Sequence, residues 1–377
     1  MRIGIEAQRV FRPKKHGMDI VILEVLRRIR EMEGSDEFMV YAQPDSDTAA
    51  LSAGNQIKIR LGGPASYPVW EQRTLPAMAK ADKVDLLHCT SNTAPVGMKI
   101  PLVVTIHDII YLEKLMLTGG TWYQRLGNLY RRWNVPRIAK DASVIITVSD
   151  YERHRIIEHL KLPAESVRTV YNACGTHFTP HRDPEALEQF RKKMGLPDHF
   201  VLFLGNTDPK KNLPNVMKAM GLLKQQGKMN LKLVMPDLGG DYLKKLLAAQ
   251  GNADLMENIV LTGYIPNIEL PNLYKLADIF LYPSLRESFG IPIVEAMACG
   301  TPLITSNTSA MPEIAGSGAL LIDPFNPEAI ADMVLQLQEN NTLRQQTINY
   351  GITRAADFSW QKTADQVLEI YREVLNK

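Results

Sequence analysis

Cysteine is scarce in this sequence: Cys89, Cys174 and Cys299 stand far apart and none belongs to a C-x-x-C pair. A disulfide framework and a cysteine zinc site are therefore excluded, and the three read as small buried apolar residues. A surplus of one charge is missing too. The chain carries 43 Lys and Arg against 41 Asp and Glu, a formal charge of +2, so no nucleic-acid partner is expected and any anionic ligand must be held by local features. No uninterrupted apolar run approaches the ~20 residues that cross a bilayer. The opening Met1-Arg-Ile-Gly-Ile reads directly as a strand without an export-signal pattern, and a reduced, cytoplasmic compartment is expected. G-x-G-x-x-G after a strand, G-x-x-x-x-G-K-[ST] and H-E-x-x-H are all absent. The simplest dehydrogenase, NTPase and zinc-protease readings go with them.

What the chain does have is a regular alternation of short apolar runs and amphipathic stretches. Strand-like runs fall at 2–6, 37–42, 84–88, 102–106 and 143–148, and a second series at 200–204, 231–235, 258–261, 278–282, 302–305 and 319–322. They are β-branched and continuous rather than alternating, the pattern of strands covered on both faces. Helical stretches lie between them, among others at 18–32, 213–226, 291–299 and 326–339. This is the α/β pattern of doubly wound parallel sheets, and with 377 residues it restarts once. Residues 172–184 are rich in turn formers and lack an apolar period, so the boundary belongs there, giving domains 1–175 and 176–358. The two sheets are expected to face a cleft with the C-terminal ends of their strands.

The densest chemistry lies in DIFLYPSLRESFGIPIVEAMACG, residues 278–300. A buried strand ends at Tyr282-Pro283, a polar loop follows, and a helix carries Pro292 in its first turn and Gly300 just past its end. Glu287 in the loop and Glu295 on the helix could address opposite ends of one elongated ligand. Ser288, Phe289, Gly290 and Ile291 place backbone N–H groups at the helix start, where an anion is favoured. An acidic first helical turn without function accounts for the two carboxylates equally well. In FVLFLGNTDPKKNL, residues 200–213, a strand runs to Gly205, and Lys210 and Lys211 precede a helix, a natural phosphate ligand set or a solvated lysine pair. Gly263 and Tyr264 in LTGYIP, residues 261–266, end another strand, either beside a nucleobase or in an ordinary turn.

In combination and in this order, these elements resemble the retaining glycosyltransferases of glycosyltransferase family 4. The similarity runs through LGNTDPKKN, through residues 261–324 from LTGYIP to LLIDP, and into FSWQKTADQVLEIY, with VVTIHDIIYLE and ITVSDYERHRI in the first half. The resemblance implies a GT-B fold of two Rossmann-like domains, with 359–377 a helix returning to the first. It implies that Glu287 binds donor-sugar hydroxyls beside the reacting carbon. Backbone at Phe289, Gly290 and Ile291 would contact sugar and diphosphate, Glu295 the ribose, and Lys211 the diphosphate. His107 would reach the donor sugar from the first domain, and Gly17 would let diphosphate or acceptor lie against the first helix. Relatives often carry Arg after the glycine at 205, whereas this chain has Asn206, which leaves Lys210 to supply a second positive charge.

The implied reaction moves a sugar from a nucleotide sugar, GDP-mannose in the lead and UDP-sugars behind it, to a saccharide or lipid-linked saccharide acceptor. No cofactor is expected beyond the co-substrate. No metal is expected either, because no histidine–carboxylate cluster has metal-ligand spacing and Lys211 with the helix start can neutralise the leaving group. Two alternatives share the architecture: a nucleotide-sugar epimerase, and a non-catalytic nucleotide-sugar-binding protein. One segment stands outside this scheme. Residues 122–140 carry Arg125, Arg131, Arg132, Arg137 and Lys140, four aromatics and no acid, the composition of a peripheral membrane contact or of a solvated basic helix.

Overall fold

The computed structural model describes residues 1–63, 66–113 and 122–376, except for the side chains of 122–124. Two compact units result, Met1–Asn172 with Trp360–Lys377, and Ala173–Ser359. The first division thus falls at 172/173, not at 175/176. The chain is still tied to the first unit at Tyr171, whose carbonyl accepts a hydrogen bond from Thr363 Oγ1 at 2.7 Å.

In the first unit, strands β1 (Arg2–Glu6), β2 (Glu37–Ala42), β3 (Ile57–Leu61), β4 (Leu86–Cys89), β5 (Leu102–Thr105), β6 (Val144–Thr147) and β7 (Val167–Thr169) form a seven-stranded sheet. Its order is β3-β2-β1-β4-β5-β6-β7, and every pairing is parallel. Helix α1 (Gly17–Glu31) and the C-terminal helix Trp360–Leu375 cover one face, packing Ile22, Leu26 and Ile29 with Val367, Tyr371 and Val374. The other face is covered from Trp70, Leu75 and helix α2 (Trp122–Asp141), through Val135 and Ile138. Each fully buried aliphatic side chain contributes roughly 1.5–3 kcal/mol to this core.

In the second unit, β8 (Phe200–Leu202), β9 (Lys232–Pro236), β10 (Ile259–Gly263), β11 (Ile279–Tyr282), β12 (Leu303–Ser306) and β13 (Leu320–Ile322) pair in the order β10-β9-β8-β11-β12-β13. All of these pairings are parallel as well. Helices α3 (Leu213–Gln225), α4 (Leu270–Leu276) and α5 (Ile291–Ala298) are the ones that matter for the site.

All the expected strand runs are present. Strands β3 and β7 were not anticipated, and both are edge strands. The sequence of β3, Ile-Lys-Ile-Arg-Leu, alternates and is exposed at Lys58 and Arg60, and β7 is only three residues long. An edge strand has one neighbour and less burial, so it lacks the continuous apolar run that marks a central strand. In both sheets the strand order reverses at one point, between β1 and β4 and between β8 and β11, which is where open α/β sheets leave a crevice at their C-terminal ends.

Candidate active site

The second unit's reversal point is built from β8 and β11 and the loops that follow them. After β11 the chain passes through residues 283–290 and enters α5 at Gly290, whose φ of +90° a side chain would strain. A Cβ there would also meet Ile293 Cδ1 at 3.0 Å. Glycine brings no side chain that could cap the helix, so the first turn of α5 stays accessible to an anion. Phe289 is buried, its ring perpendicular to Phe358 at 5.6 Å. Ser288 and Ile291 are half-buried on either side.

The loop is held on both sides. Ser309 Oγ accepts from the Glu287 N–H at 3.1 Å and donates to the Glu287 carbonyl at 2.6 Å. Leu285 N–H donates to the Lys210 carbonyl at 2.7 Å, tying the loop to the turn Pro209–Lys211 that follows β8. Asn212, left-handed with φ of +63°, ends that turn, and its Nδ2 donates to the carbonyls of Pro283 at 3.0 Å and Pro324 at 2.6 Å.

These ties bring Lys211 and Glu287 together. Lys211 Nζ donates to Glu287 Oε1 at 2.7 Å and to the Tyr282 hydroxyl at 2.8 Å, and sits 4.8 Å from the centre of the Tyr282 ring. Both charged side chains are largely enclosed, 16% and 11% exposed. Burial alone would push the Glu287 carboxyl up. The charges of Lys211 and Lys210, with hydrogen bonds from Lys211 and Tyr282, outweigh it and hold the carboxyl below its ordinary range. Glu287 is therefore ionised at neutral pH.

Glu295 is different. It lies on α5, 7% exposed, and Oε2 accepts from the Tyr274 hydroxyl of α4 at 2.8 Å. No cation offsets its burial, which raises its carboxyl to about 7 against an ordinary 4.5. Gly205 is buried where a Cβ would run into the Phe203 ring, at 2.0 Å, so only glycine fits after β8. Asn206 is exposed, and its Oδ1 accepts from the Asp208 N–H at 2.9 Å. Lys210 is half-exposed and 3.9 Å from Asp208. Tyr264 follows the edge strand β10 and is 63% exposed.

The two remaining candidates belong to the first unit. His107 follows β5, buried, with Nε2 3.0 Å from the Thr90 carbonyl. A carbonyl only accepts, so Nε2 carries the proton and Nδ1 the lone pair. Burial lowers the pKa of His107, keeping the ring neutral. It lines a small, mainly apolar pocket with His88, Thr105 and Met18. Gly17 begins α1, and a Cβ on it would meet nothing within 4 Å, so the helix start is open there.

Several partners escaped the sequence reading. Tyr282 and Tyr274 complete the environments of Glu287 and Glu295, and Ser309 fixes the loop. Their one sequence signal is a polar aromatic in an otherwise apolar run, since such a hydroxyl needs a partner when buried. The first unit also holds a buried carboxylate outside the expected set. Glu71 accepts from Tyr130 Oη at 2.5 Å, from Gln72 Nε2 at 3.0 Å and from Thr93 Oγ1. Asp45-Ser46-Asp47 has D-x-D spacing, but Asp47 is paired with Lys15 and Asp45 accepts from the Ser46 N–H at 2.7 Å. Among the described residues no three His, Cys, Asp or Glu side chains form a group that could hold a metal ion. No helix among them is long and apolar enough to cross a membrane.

Comparison with known proteins agrees with this architecture. Residues 16–178 match the family model described as Glycosyltransferase Family 4, and residues 185–354 the model described as Glycosyl transferases group 1. O-antigen chain mannosyltransferase B of Escherichia coli is 30% identical over 273 residues, covering 72% of this chain and 70% of that protein. The serotype-specific mannosyltransferase WbdA of Escherichia coli is 26% identical over 237 residues, covering 62% of this chain and 29% of that longer protein. The Anabaena HepE structure in complex with UDP-glucose superposes with a TM-score of 0.75 over 99% of this chain and 100% of that one, at 19% identity, a likeness of fold. With two parallel sheets of the GT-B kind and a relative at this level of identity, the chain belongs to glycosyltransferase family 4, the group 1 glycosyltransferases.

Proposed function

We propose that this chain transfers a mannosyl group from GDP-mannose to a saccharide or lipid-linked saccharide acceptor, with retention of anomeric configuration and without a divalent metal. The observation that carries the reading is the enclosed Lys211–Glu287–Tyr282 cluster beside the start of α5. The choice of mannose rests on the two mannosyltransferase relatives. In the proposed reaction the bond from the anomeric carbon to the diphosphate oxygen breaks, and one to the acceptor oxygen forms on the same face. The acceptor's proton goes to the departing phosphate.

Charge grows on that phosphate in the transition state. Lys211 has three N–H donors, of which Glu287 and Tyr282 take two, so one remains for the diphosphate. The α5 N-terminus, around Phe289, Gly290 and Ile291, adds a fixed partial positive charge. Ionised Glu287 faces the opposite need, stabilising the oxocarbenium-like carbon and holding sugar hydroxyls. Glu295 binds ribose hydroxyls, Gly205, Lys210 and Ser288 border the diphosphate, and Tyr264 borders the base. From the first unit, neutral His107 is assigned to the donor sugar and Gly17 to the diphosphate or acceptor.

The test is turnover of GDP-mannose, UDP-glucose and UDP-N-acetylglucosamine with saccharide acceptors, in excess EDTA, reading product anomer by NMR. Mannosyl transfer from the α-linked donor to an α-linked product, undiminished by EDTA, is expected. An inverted product, or activity lost to EDTA and restored by magnesium or manganese, overturns it.

A further inference from the structure

Helix α2 exposes a stripe that a solvated helix would fill with polar residues. Its buried side is Asn134, Val135, Ile138 and Ala139, and its exposed positions over 125–140 are Leu126, Leu129, Trp133, Arg137 and Lys140. Spacings of three and four place these five on one face. Leu126 is 61% exposed, Leu129 59% and Trp133 43%, so three large apolar side chains sit together in water, followed by two cations. The Arg137 guanidinium covers the Trp133 ring at 5.1 Å. No acidic residue occurs from 122 to 140. Trp122 and Tyr123, singled out with this segment in the sequence, lie outside the residues whose side chains are described.

The stripe is firmly mounted. Tyr130, one turn from Leu126, packs edge-on against Tyr67 at 6.0 Å and tilted against Trp133 at 5.7 Å. Its hydroxyl ends on the buried Glu71. Arg132 Nη1 donates to the Tyr111 carbonyl at 2.6 Å, leaving Arg137 and Lys140 as the exposed cations of the stripe. Val96 and Val69, also exposed, extend the apolar surface from the segments that Gln72 and Tyr67 join to Tyr130.

We infer that this face of α2 docks on the surface of an anionic lipid bilayer, with Leu126, Leu129 and Trp133 at the acyl boundary and Arg137 and Lys140 on lipid phosphates. Cations of a single sign beside a short apolar row, with a tryptophan at their junction, match a headgroup–acyl boundary. A protein partner would have to offer a complementary acidic surface. The inference is independent of the donor chemistry proposed above.

The experiment is flotation of the full chain with vesicles of phosphatidylglycerol and phosphatidylcholine, and of phosphatidylcholine alone, at low and high salt. Binding to the anionic vesicles is expected, weakened by salt. It should fall at least tenfold in Leu126→Glu/Leu129→Glu, where charged groups replace buried methylenes, and about fivefold in Arg137→Gln. Circular dichroism and transfer to a water-soluble acceptor should stay unchanged in both variants, which separates loss of docking from loss of fold. Absence of flotation with anionic vesicles at low salt overturns the inference. So do variants that float like the parent, or vesicle-free self-association that the leucine substitutions abolish, which would assign the face to a second copy of the chain.

Discussion

The strand ends of the two sheets hold their ionisable groups in opposite states. In the first unit, burial acts without a counter-charge close enough to win. His88, between Tyr371 Oη at 2.6 Å and Thr105 Oγ1 at 2.8 Å, is driven down to about 3 by burial and by neighbouring His107. Burial raises Glu6, although the Gln8 and Thr90 N–H groups and the Arg9 charge pull the other way. In the second unit, Lys211 and Lys210 reverse the effect of burial and leave Glu287 charged. One architecture thus provides a neutral polar lining in one place and a fixed ion pair in another. What decides is whether a cation arrives from the neighbouring strand's loop. An anionic leaving group suits the second arrangement.

Lys211→Ala is the largest way to break this contrast. It removes the proposed diphosphate donor and strands Glu287 in its enclosed site, so kcat/KM for GDP-mannose should fall by about 2–4 kcal/mol, roughly 30- to 1000-fold. Glu287→Gln should cost about a hundredfold, mostly in kcat, because charge on the carbon exists only in the transition state. Steady-state kinetics check both. A loss confined to KM in Glu287→Gln would show that the carboxylate contributes only ground-state binding.

How much of this could be read beforehand depends on where the information lay along the chain. Glu287 and Glu295 share one strand-loop-helix segment, and Lys211 sits in a turn of recognisable composition, so local spacing was enough. The central strands were legible for the same reason, as burial on both faces writes a continuous apolar run. The pairing of Lys211 with Glu287 joins residues 76 positions apart, and the Tyr130–Glu71 bond joins residues 59 apart. Only packing brings such partners together. The protonation of Glu295 was equally hidden, because it follows from Tyr274 and the surrounding core rather than from any neighbour in sequence.

Glu295→Gln tests the other half of the contrast, with an effect of about 2 kcal/mol. The folded chain holds a proton on Glu295 up to about pH 7, whereas the ordinary carboxyl releases it near 4.5. The folded state therefore binds more protons. Stability from this group is full below about 4.5 and is lost as pH rises through 7. Between pH 5.5 and 7.5 the parent should lose roughly 2 kcal/mol of stability that Glu295→Gln does not lose. Urea unfolding at the two pH values reads the difference, and parallel slopes for parent and variant would place the Glu295 carboxyl at its ordinary value. The same variant should raise the donor KM about tenfold if the ribose is held there.

The smallest expected effect comes from Asn206→Arg, and it asks whether the second unit's site has all the positive charge it needs. Asn206 follows the buried Gly205, and its side chain serves the turn by accepting from the Asp208 N–H at 2.9 Å. Losing that bond should cost about 0.5–1.5 kcal/mol of stability. A guanidinium there would extend from the end of β8, the strand whose following turn carries Lys210 and Lys211. Lys210 is weakly held, 3.9 Å from Asp208 and 40% exposed, so it can turn to a diphosphate at little cost. If it does, the added arginine duplicates a charge already supplied. GDP should then bind Asn206→Arg no more than about threefold more tightly than the parent, while Lys210→Ala weakens GDP by about tenfold. Calorimetric titration of GDP into the two variants separates the cases. A tenfold gain with Asn206→Arg, together with no loss in Lys210→Ala, would mean that Lys211 works without a second cation in the parent.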